Sequence, residues 1–178
     1  MPPTPAHDAY DPYDPYDADD AVTRLHSEHY PELVRLSALL LRNIAEAEEV
    51  VQDAFVAMHG RWHRLRDPEN GLAYLRQAVV NRSRSVLRHR AVRHKHQPKP
   101  MPDAASAEHD AMIAGEYRAV LEAIRGLPER QREAIVLRYY VDLSEADIAR
   151  AMGCSRGAVK SHSSRGMAAL RKTLEGES

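Results

Sequence analysis

The chain has 178 residues, of which 29% are charged and 43% hydrophobic, and its formal net charge at pH 7 is −1. This length suffices for one medium domain or two small ones. No apolar run approaches the roughly 18 residues that span a bilayer, and the N-terminus lacks a basic-then-apolar secretion signal. A single cysteine, Cys154, cannot form an internal disulfide, which fits a reducing compartment. We therefore expect a cytoplasmic protein with no membrane segment.

The small net charge conceals an asymmetry along the chain. Residues 1–23 contain six aspartates and neither Lys nor Arg, so the remainder carries 25 basic against 20 acidic residues. Seven basic residues and no acidic one lie between Asn81 and Pro102. Local positive charge of this density indicates a polyanionic partner.

Residues 1–21 are predicted to form a disordered acidic tail. The stretch Tyr10–Asp17 repeats the triplet Tyr-Asp-Pro, and its prolines are incompatible with a helix. Composition favours a solubilising tail. An alternative is that the acidic segment covers the basic surface when nucleic acid is absent, and the sequence leaves both open.

Residues 22–92 are predicted to form a helical domain. Pro31 is expected to begin a helix or to bend one, and Asn43 is a candidate N-cap. A later helix is expected to start at Asp67-Pro68. Apolar stripes with helical spacing support two of these helices: Leu33, Leu36 and Leu40 in the first, and Leu72, Leu75, Val79 and Val86 in the last.

Residues 93–106 are predicted to be a linker, because prolines at 98, 100 and 102 prevent a helix. A second helical domain is expected over residues 107–178. Its first helix should end at Gly126, and Pro128 should take the first position of the next, which runs through Tyr140. The stripe predicted for the first helix is Ile113, Tyr117, Val120 and Ile124.

A helix-turn-helix is predicted near the C-terminus. Ser144 and Asp147 resemble a capping box that starts a short helix to about Met152. Gly153 should end this helix, and Ser155 should cap the last one. A short helix, a glycine-containing turn and a second helix are the parts of this motif.

The last helix has two dissimilar faces. The face predicted to pack inward comprises Val159, Ser163, Gly166, Leu170 and Leu174. The outward face comprises Gly157, Lys160, Ser161, Ser164 and Arg165, with Arg156 at the N-terminal end. Small residues permit close approach, and hydroxyls and cations bond phosphates and base edges. A recognition helix in the major groove has this pattern, although a solvated surface helix is the simpler alternative.

Two stretches resemble region 2 of the bacterial extracytoplasmic-function (ECF) sigma factors, which are RNA polymerase subunits: "AEEVVQDAF" (47–55) and "AYLRQAVVNRSRS" (73–85). A third, which runs from Leu127 to Arg171, resembles their region 4. The Arg-rich, Ala-rich composition indicates a GC-rich coding genome. The resemblance covers residues 22–174 and implies an actinobacterial source. It implies an all-α fold of two small helical domains joined by a flexible proline-rich linker. It also implies a sigma subunit that binds core RNA polymerase and directs promoter recognition, DNA melting and transcription initiation.

The resemblance implies a docking surface for core polymerase on the first domain. The family's corresponding helix binds the clamp of the largest polymerase subunit, and region 4 contacts the flap of the second largest. The candidate clamp-binding residues are Glu48, Glu49, Gln52 and Asp53. Acidic residues also stabilise a helix start through the dipole, so a solvated helix start is the alternative.

The resemblance also implies contacts with the promoter −10 element, where the segment from His63 to Gly71 would capture a flipped base. Trp62 either stacks on a base or seals the bundle, and the second role is favoured. Most of the arginines are expected to contact phosphates. The candidates are Trp62, His63, Arg64, Arg66, Asn70, Asn81, Arg82, Arg84 and Arg88.

Region 4 would place Arg156, Lys160, Ser161, Ser164 and Arg165 in the major groove of the −35 element. The chain departs from the common family pattern, since it has Ala158, His162 and Ser163 where Thr, Arg and a bulkier apolar residue are usual. We therefore expect altered packing at Ser163 and a −35 preference of its own. Members of this family are often held by an anti-sigma protein, which makes one a candidate partner.

Other classes of function are less well supported. The sequence contains no phosphate-binding glycine loop, no His-Glu-x-x-His motif and no cysteine pair, so no enzyme, cofactor or metal site is expected. His89, His94 and His96 lie among cations, which would repel a metal ion. The nearest alternative is a free-standing helix-turn-helix regulator that binds DNA without polymerase.

Overall fold

The computed structural model describes residues 18–65, 68–94 and 115–176. These residues form seven α-helices and contain no strand, which confirms the all-helical class. The helices are α1 (Ala18–Leu41), α2 (Ile44–Arg61), α3 (Gly71–His94), α4 (Gly115–Gly126), α5 (Glu129–Ile135), α6 (Glu145–Met152) and α7 (Arg156–Gly176). Two 3-10 turns, Trp62–Arg64 and Pro68–Asn70, lie between α2 and α3, and a π-helical turn, Val136–Tyr140, follows α5. None of the helices described combines the length and apolarity that a bilayer crossing needs.

The predicted tail and linker lie largely outside the described residues. Helix α1 begins four residues before the predicted domain start at Val22, and Ala21 is buried. Asp19, in its first turn, lies 2.5 Å from a ring nitrogen of His59 on α2. Helix α3 continues to His94, past the predicted linker start.

Helices α1, α2 and α3 form the first bundle. The predicted stripe of α1 is fully buried, and Pro31 lies inside this helix rather than at its start. Asn43 caps α2 as predicted, because its Oδ1 accepts a hydrogen bond from the Glu46 amide at 3.0 Å. The hydroxyls of Ser37 and Ser83 meet in the buried contact between α1 and α3 at 2.9 Å.

Gly71 shows why α3 starts where it does. A Cβ at this position would lie 2.8 Å from side-chain carbons of Leu25 and Met58. The absence of a side chain therefore allows the start of α3 to pack closely against both α1 and α2.

Helices α4 to α7 form the second half, and here one predicted stripe is wrong. Tyr117 and Val120 are exposed, whereas the buried residues are Leu121, Ala123 and Leu127. Ile113 lies outside the described residues. The predicted and observed stripes both pass near Ile124, so the spacing of apolar residues cannot choose between them. The packing of α4 against α7 and α5 decides which face of α4 is buried.

The helix-turn-helix forms as predicted. Ser144 caps α6 by accepting from the Asp147 amide at 3.1 Å, and its hydroxyl donates to the Asp147 carboxylate at 2.6 Å. Gly153 ends α6 with φ +60°, a left-handed conformation that glycine adopts without strain. Ser155 caps α7 by accepting from the Ala158 amide at 3.1 Å. Pro128 occupies the N-cap of α5, one position before the predicted one.

The two halves pack against each other. Helix α1 contacts α4, α5 and the π-helical turn, and buried residues of both halves belong to one apolar cluster. The junction also contains polar groups: the Arg132 guanidinium of α5 donates to the Leu40 carbonyl of α1 at 3.3 Å.

Gly166 is expected to be essential for the packing of α7. A Cβ there would lie 2.8 Å from Cγ1 of the buried Ile135 and 3.4 Å from the Gln131 carbonyl oxygen. Gly166→Val should therefore lower the free energy of unfolding by about 2 kcal/mol through overpacking. Gly60→Val is the matched control, because nothing lies within 4 Å of a Cβ at Gly60, and its change should stay within about 0.5 kcal/mol. Urea unfolding measures both, and equal losses would contradict the close contact.

Candidate nucleic-acid and polymerase interfaces

The first half of α7 presents a continuous basic and hydroxyl face. Arg156, Lys160, Ser164 and Arg165 are exposed, and Ser161 is half-buried. The Ser155 cap satisfies one of the first amides of the helix, and the helix dipole adds positive potential at this end. All five predicted −35 residues therefore lie on α7, and four of them are open to a polyanion.

The opposite side of α7 packs against the domain through two apolar and two small residues. Val159, Ser163, Gly166 and Leu170 are buried there, in agreement with the predicted inward face. The hydroxyl of Ser163 is buried without a hydrogen-bond partner among the described atoms. Ile135 packs against the neighbouring Gly166, so the bulk missing from α7 comes from α5.

The basic residues of the helix-turn-helix are oriented by acidic residues of α6. Arg156 Nε donates to Glu145 Oε1 at 3.1 Å, and Arg150 pairs with Asp147 at 2.5 Å. Glu145 is the more buried partner of its pair, so it restricts where the Arg156 side chain can lie. His162 is half-buried, which is consistent with a smaller role than an exposed guanidinium would have.

The predicted base-capture segment is only partly on the surface. Trp62 is 4% exposed and packs in the core of the first bundle, so it seals the bundle and leaves the set of candidate DNA contacts. His63 and Arg64 are exposed in the 3-10 turn that begins with Trp62, and Asn70 is exposed in the next turn. Arg66 lies outside the described residues.

Helix α3 presents some of its predicted DNA contacts. Asn81 is exposed and accepts a hydrogen bond from Gln77 at 3.0 Å. Arg88 is exposed and donates to the Ser85 hydroxyl at 3.1 Å, while Arg82 is half-buried. These three side chains leave α3 with polar and positive groups for a phosphate backbone.

Arg84 differs from the other candidates on α3. Its side chain is only 12% exposed, and its Nε donates to Glu133 of α5, whose side chain is 2% exposed. The Arg84 guanidinium is therefore not on an open surface in this conformation, and its contact with the −10 element stays a prediction. The physical reason is that a carboxylate from the other half of the chain occupies its guanidinium.

Further arginines of α3 are used inside the bundle. Arg76 pairs with Glu32 of α1 at 2.5 Å. Arg90 donates to the Leu41 carbonyl at 2.7 Å and pairs with Glu46 of α2. These contacts hold α3 against α1 and α2, so part of the positive charge of α3 is not available to a ligand.

The four predicted clamp-binding residues share an open surface on α2. Glu48, Glu49, Gln52 and Asp53 are all exposed, and none of them pairs with a described basic residue. Val56 is 72% exposed, one turn further along the same face. Sequence analysis missed Val56, although its spacing of three and four residues from Asp53 and Gln52 was visible.

Sequence analysis also missed the buried charges of α5. Arg132 is 4% exposed and donates to the Leu127 carbonyl at 2.9 Å, while its Nε has no partner among the described atoms. Burial, reinforced by the nearby Arg42 charge, lowers the pKa of Arg132 to about 10, so the group stays protonated at neutral pH. One feature of the sequence could have predicted this burial. Arg132 and Glu133 lie four residues before the apolar Val136 and Leu137, on the same helix face.

The described ranges contain no group of three His, Cys, Asp or Glu side chains that could hold a metal ion. Of the predicted histidine cluster, His89 is exposed on α3. The side chain of His94 and all of His96 lie outside the residues described.

Family comparisons match both halves of the chain. The Sigma-70 region 2 family matches residues 25–93, and the Sigma-70, region 4 family matches residues 117–170. The RNA polymerase sigma-E factor of Streptomyces avermitilis is 30% identical over 143 residues, which is 80% of this chain and 79% of that protein. The ECF RNA polymerase sigma factor SigM of Mycobacterium tuberculosis is 32% identical over 154 residues, which is 86% of this chain and 77% of that one.

Solved structures share the fold. The sigma factor RpoE of Bartonella quintana, in complex with the anti-sigma factor NepR, superposes with a TM-score of 0.64 at 24% identity and covers 86% of this chain and 96% of its own. CnrH, in complex with the cytosolic domain of CnrY, gives a TM-score of 0.52 at 25% identity over 90% of this chain and 96% of its own.

The family matches agree with the two halves seen in the fold. Region 2 covers the α1–α3 bundle and region 4 covers α4 to α7 almost completely. Proteins of this family are in general initiation factors without an enzymatic reaction of their own. The chain therefore belongs to the sigma-70 family, as an ECF sigma factor of RNA polymerase that acts in promoter recognition and transcription initiation.

Proposed function

We propose that the two halves of this sigma factor divide its work. Residues 22–92 bind core polymerase and the −10 element, residues 107–178 bind the −35 element, and residues 93–106 link them. The observation that carries this proposal is the separation of two open surfaces of opposite charge, the acidic face of α2 and the basic face of α7. They suit two different partners, a basic protein surface and DNA.

In this proposal α7 is the recognition helix for the −35 element. Lys160, Ser161, Ser164 and Arg165 contact base edges and phosphates, and Arg156 lies at the helix start, where Glu145 holds it. The close packing of α7 at Gly166 fixes the direction in which this face points. Because Ala158, His162 and Ser163 depart from the common pattern, the preferred −35 sequence is this protein's own.

The −10 contacts are proposed for the surface groups of the first bundle. His63, Arg64 and Asn70 lie in the two turns before α3 and would approach an unpaired base. Asn81, Arg82 and Arg88 would bind the backbone. Arg84 would also bind the backbone, but only if its pair with Glu133 is broken. Trp62 would support the two turns from inside the bundle.

The acidic face of α2 is the proposed docking site for the clamp of the largest polymerase subunit. Exposed carboxylates that pair with no described basic residue can pair with a basic surface, and Val56 supplies apolar area at the same place. The second half is proposed to contact the flap of the second-largest subunit.

We also propose an anti-sigma protein as a regulatory partner. The support is that both of the solved structures described above are complexes, RpoE with the anti-sigma factor NepR and CnrH with CnrY. A cytoplasmic location is proposed because RNA polymerase, the partner of a sigma factor, acts there.

Run-off transcription tests the function directly. Purified core polymerase with genomic promoter fragments should give discrete transcripts only when this protein is added. Their upstream sequences would define both promoter elements. Tight binding to bare duplex without such transcripts would instead support a free-standing helix-turn-helix regulator.

Lys160→Ala and Arg165→Ala should each reduce −35-dependent initiation by about tenfold, because each removes a direct groove or phosphate contact. Affinity for core polymerase should not change. Arg171→Ala and Lys172→Ala are matched controls, since both side chains are exposed basic groups further along the same helix. An equal loss in the controls would show that only the overall charge of α7 matters.

Reversing the charge of the α2 face should weaken the binding of core polymerase rather than the contacts of α7 with the −35 element. Glu49→Lys with Asp53→Lys is expected to weaken core polymerase binding by about tenfold or more, because like charges would then face each other. Glu122→Lys with Glu175→Lys reverses the same charge on the exposed surface of the other half and should have little effect. Fluorescence anisotropy with labelled protein and core polymerase measures both, and equal weakening would argue against the α2 face.

A further inference from the structure

The junction between the two halves contains one ion pair that involves a candidate DNA contact. Arg84 of α3 donates to Glu133 Oε1 of α5, and Arg130 donates to the other oxygen, Oε2, at 3.2 Å. The residues paired across the junction are 49 positions apart in the chain. Both partners are largely withdrawn from water, with 12% and 2% of their side chains exposed.

We propose that the Arg84–Glu133 pair is an autoinhibitory latch, which closes the free sigma factor and keeps α3 from using Arg84 on promoter DNA. This inference rests on the proposed assignment of α3 to the −10 element. The latch is built into the chain itself and requires no second protein.

The chemistry of the pair supports competition with DNA. A guanidinium binds carboxylate and phosphate oxygens with similar geometry, so Glu133 takes the position that a backbone phosphate would take. The same edge of the Arg84 guanidinium cannot bind the Glu133 carboxylate and a backbone phosphate at the same time. Binding of DNA by Arg84 therefore requires α5 to move away from α3.

Some interactions at the junction favour the closed state, and the burial of charge there opposes it. The shared apolar cluster and the ion pair favour closure. Against them, closure contributes to burying Arg132, whose Nε has no hydrogen-bond partner among the described atoms. Opening returns these charges to water, so the penalty of burying them opposes the latch. An equilibrium balanced in this way can be shifted by a partner that binds the open form better.

Two label positions report the separation of the halves. The full-length Cys154→Ser protein would carry cysteines at Ala45 on α2 and Ala168 on α7, both of which are exposed. Spin labels at these sites give the distance distribution by pulsed dipolar spectroscopy. The free protein should show one narrow distribution, which represents the closed state.

Glu133→Gln and Arg84→Gln should each add a longer, broader population, since either change removes a charged hydrogen bond at the junction. The ratio of closed to open protein should fall by about tenfold. The two variants alter opposite halves, so a local folding defect in one would not be shared by the other. The double variant should be less open than Glu133→Gln alone, because it no longer leaves Arg84 as an unpaired charge, whereas Glu133 in Arg84→Gln keeps its pair with Arg130.

Glu175→Gln is the matched control for the charge change. It removes an exposed carboxylate of the second half that has no partner among the described residues, and the distances should stay as in the parent protein. A parent protein that already shows a broad, long distribution would overturn the closed state. Distributions for Glu133→Gln and Arg84→Gln that match the control would overturn the latch.

A functional measurement separates this inference from the proposed −10 role. At limiting protein concentration, Glu133→Gln should increase initiation in proportion to the open fraction, because only open protein binds polymerase and DNA productively. An open Glu133→Gln protein without this increase would show that closure does not inhibit. If Arg84→Gln opens the protein and initiates as well as Glu133→Gln, the latch stands and the assignment of Arg84 to −10 DNA fails.

Discussion

The C-terminal end of α1 is the point on which the arrangement of the other helices depends. The last carbonyls of a helix lack intrahelical partners and carry the negative end of its dipole. Here Leu41 accepts from Arg90 of α3, and Leu40 accepts from Arg132 of α5. The chain then reverses at Arg42, whose φ of 58° is unusual for a residue with a side chain. One helix end thereby joins the first bundle to the second half and sets where α2 begins.

The small residues of α7 show how packing controls the direction of a binding face. Gly166 lets α5 approach until Ile135 fills the space of a side chain, and Ser163 is buried at a cost because its hydroxyl has no partner among the described atoms. A bulkier stripe would move α7 outward and rotate Lys160 and Arg165 with it. The departure from the family pattern at Ser163 therefore bears on the geometry of the proposed DNA contacts even though Ser163 itself faces the domain.

Much of the local structure could be predicted from the sequence, because its causes lie within a few residues. The caps at Asn43, Ser144 and Ser155 and the left-handed Gly153 each depend on contacts no more than four or five positions away. What could not be predicted depends on partners far along the chain. The inward face of α4 follows from its packing against α5 and α7, and the burial of Arg84 against a carboxylate 49 positions away follows from how the two halves meet. No local pattern encodes that meeting.

The arginine-rich α3 illustrates the limit of counting charges. Its sequence predicts a surface for a polyanion, yet Arg76, Arg84 and Arg90 bind carboxylates of the same chain. Exposed pairs of this kind contribute little to stability, whereas a buried pair mainly selects one arrangement of helices over others. Because carboxylate and phosphate compete for the same guanidinium, a buried internal pair and a DNA contact are alternative states of one residue. In the proposed latch, the charge of α3 would become available to DNA in steps, first from the exposed Arg88 and, only after the halves separate, from Arg84.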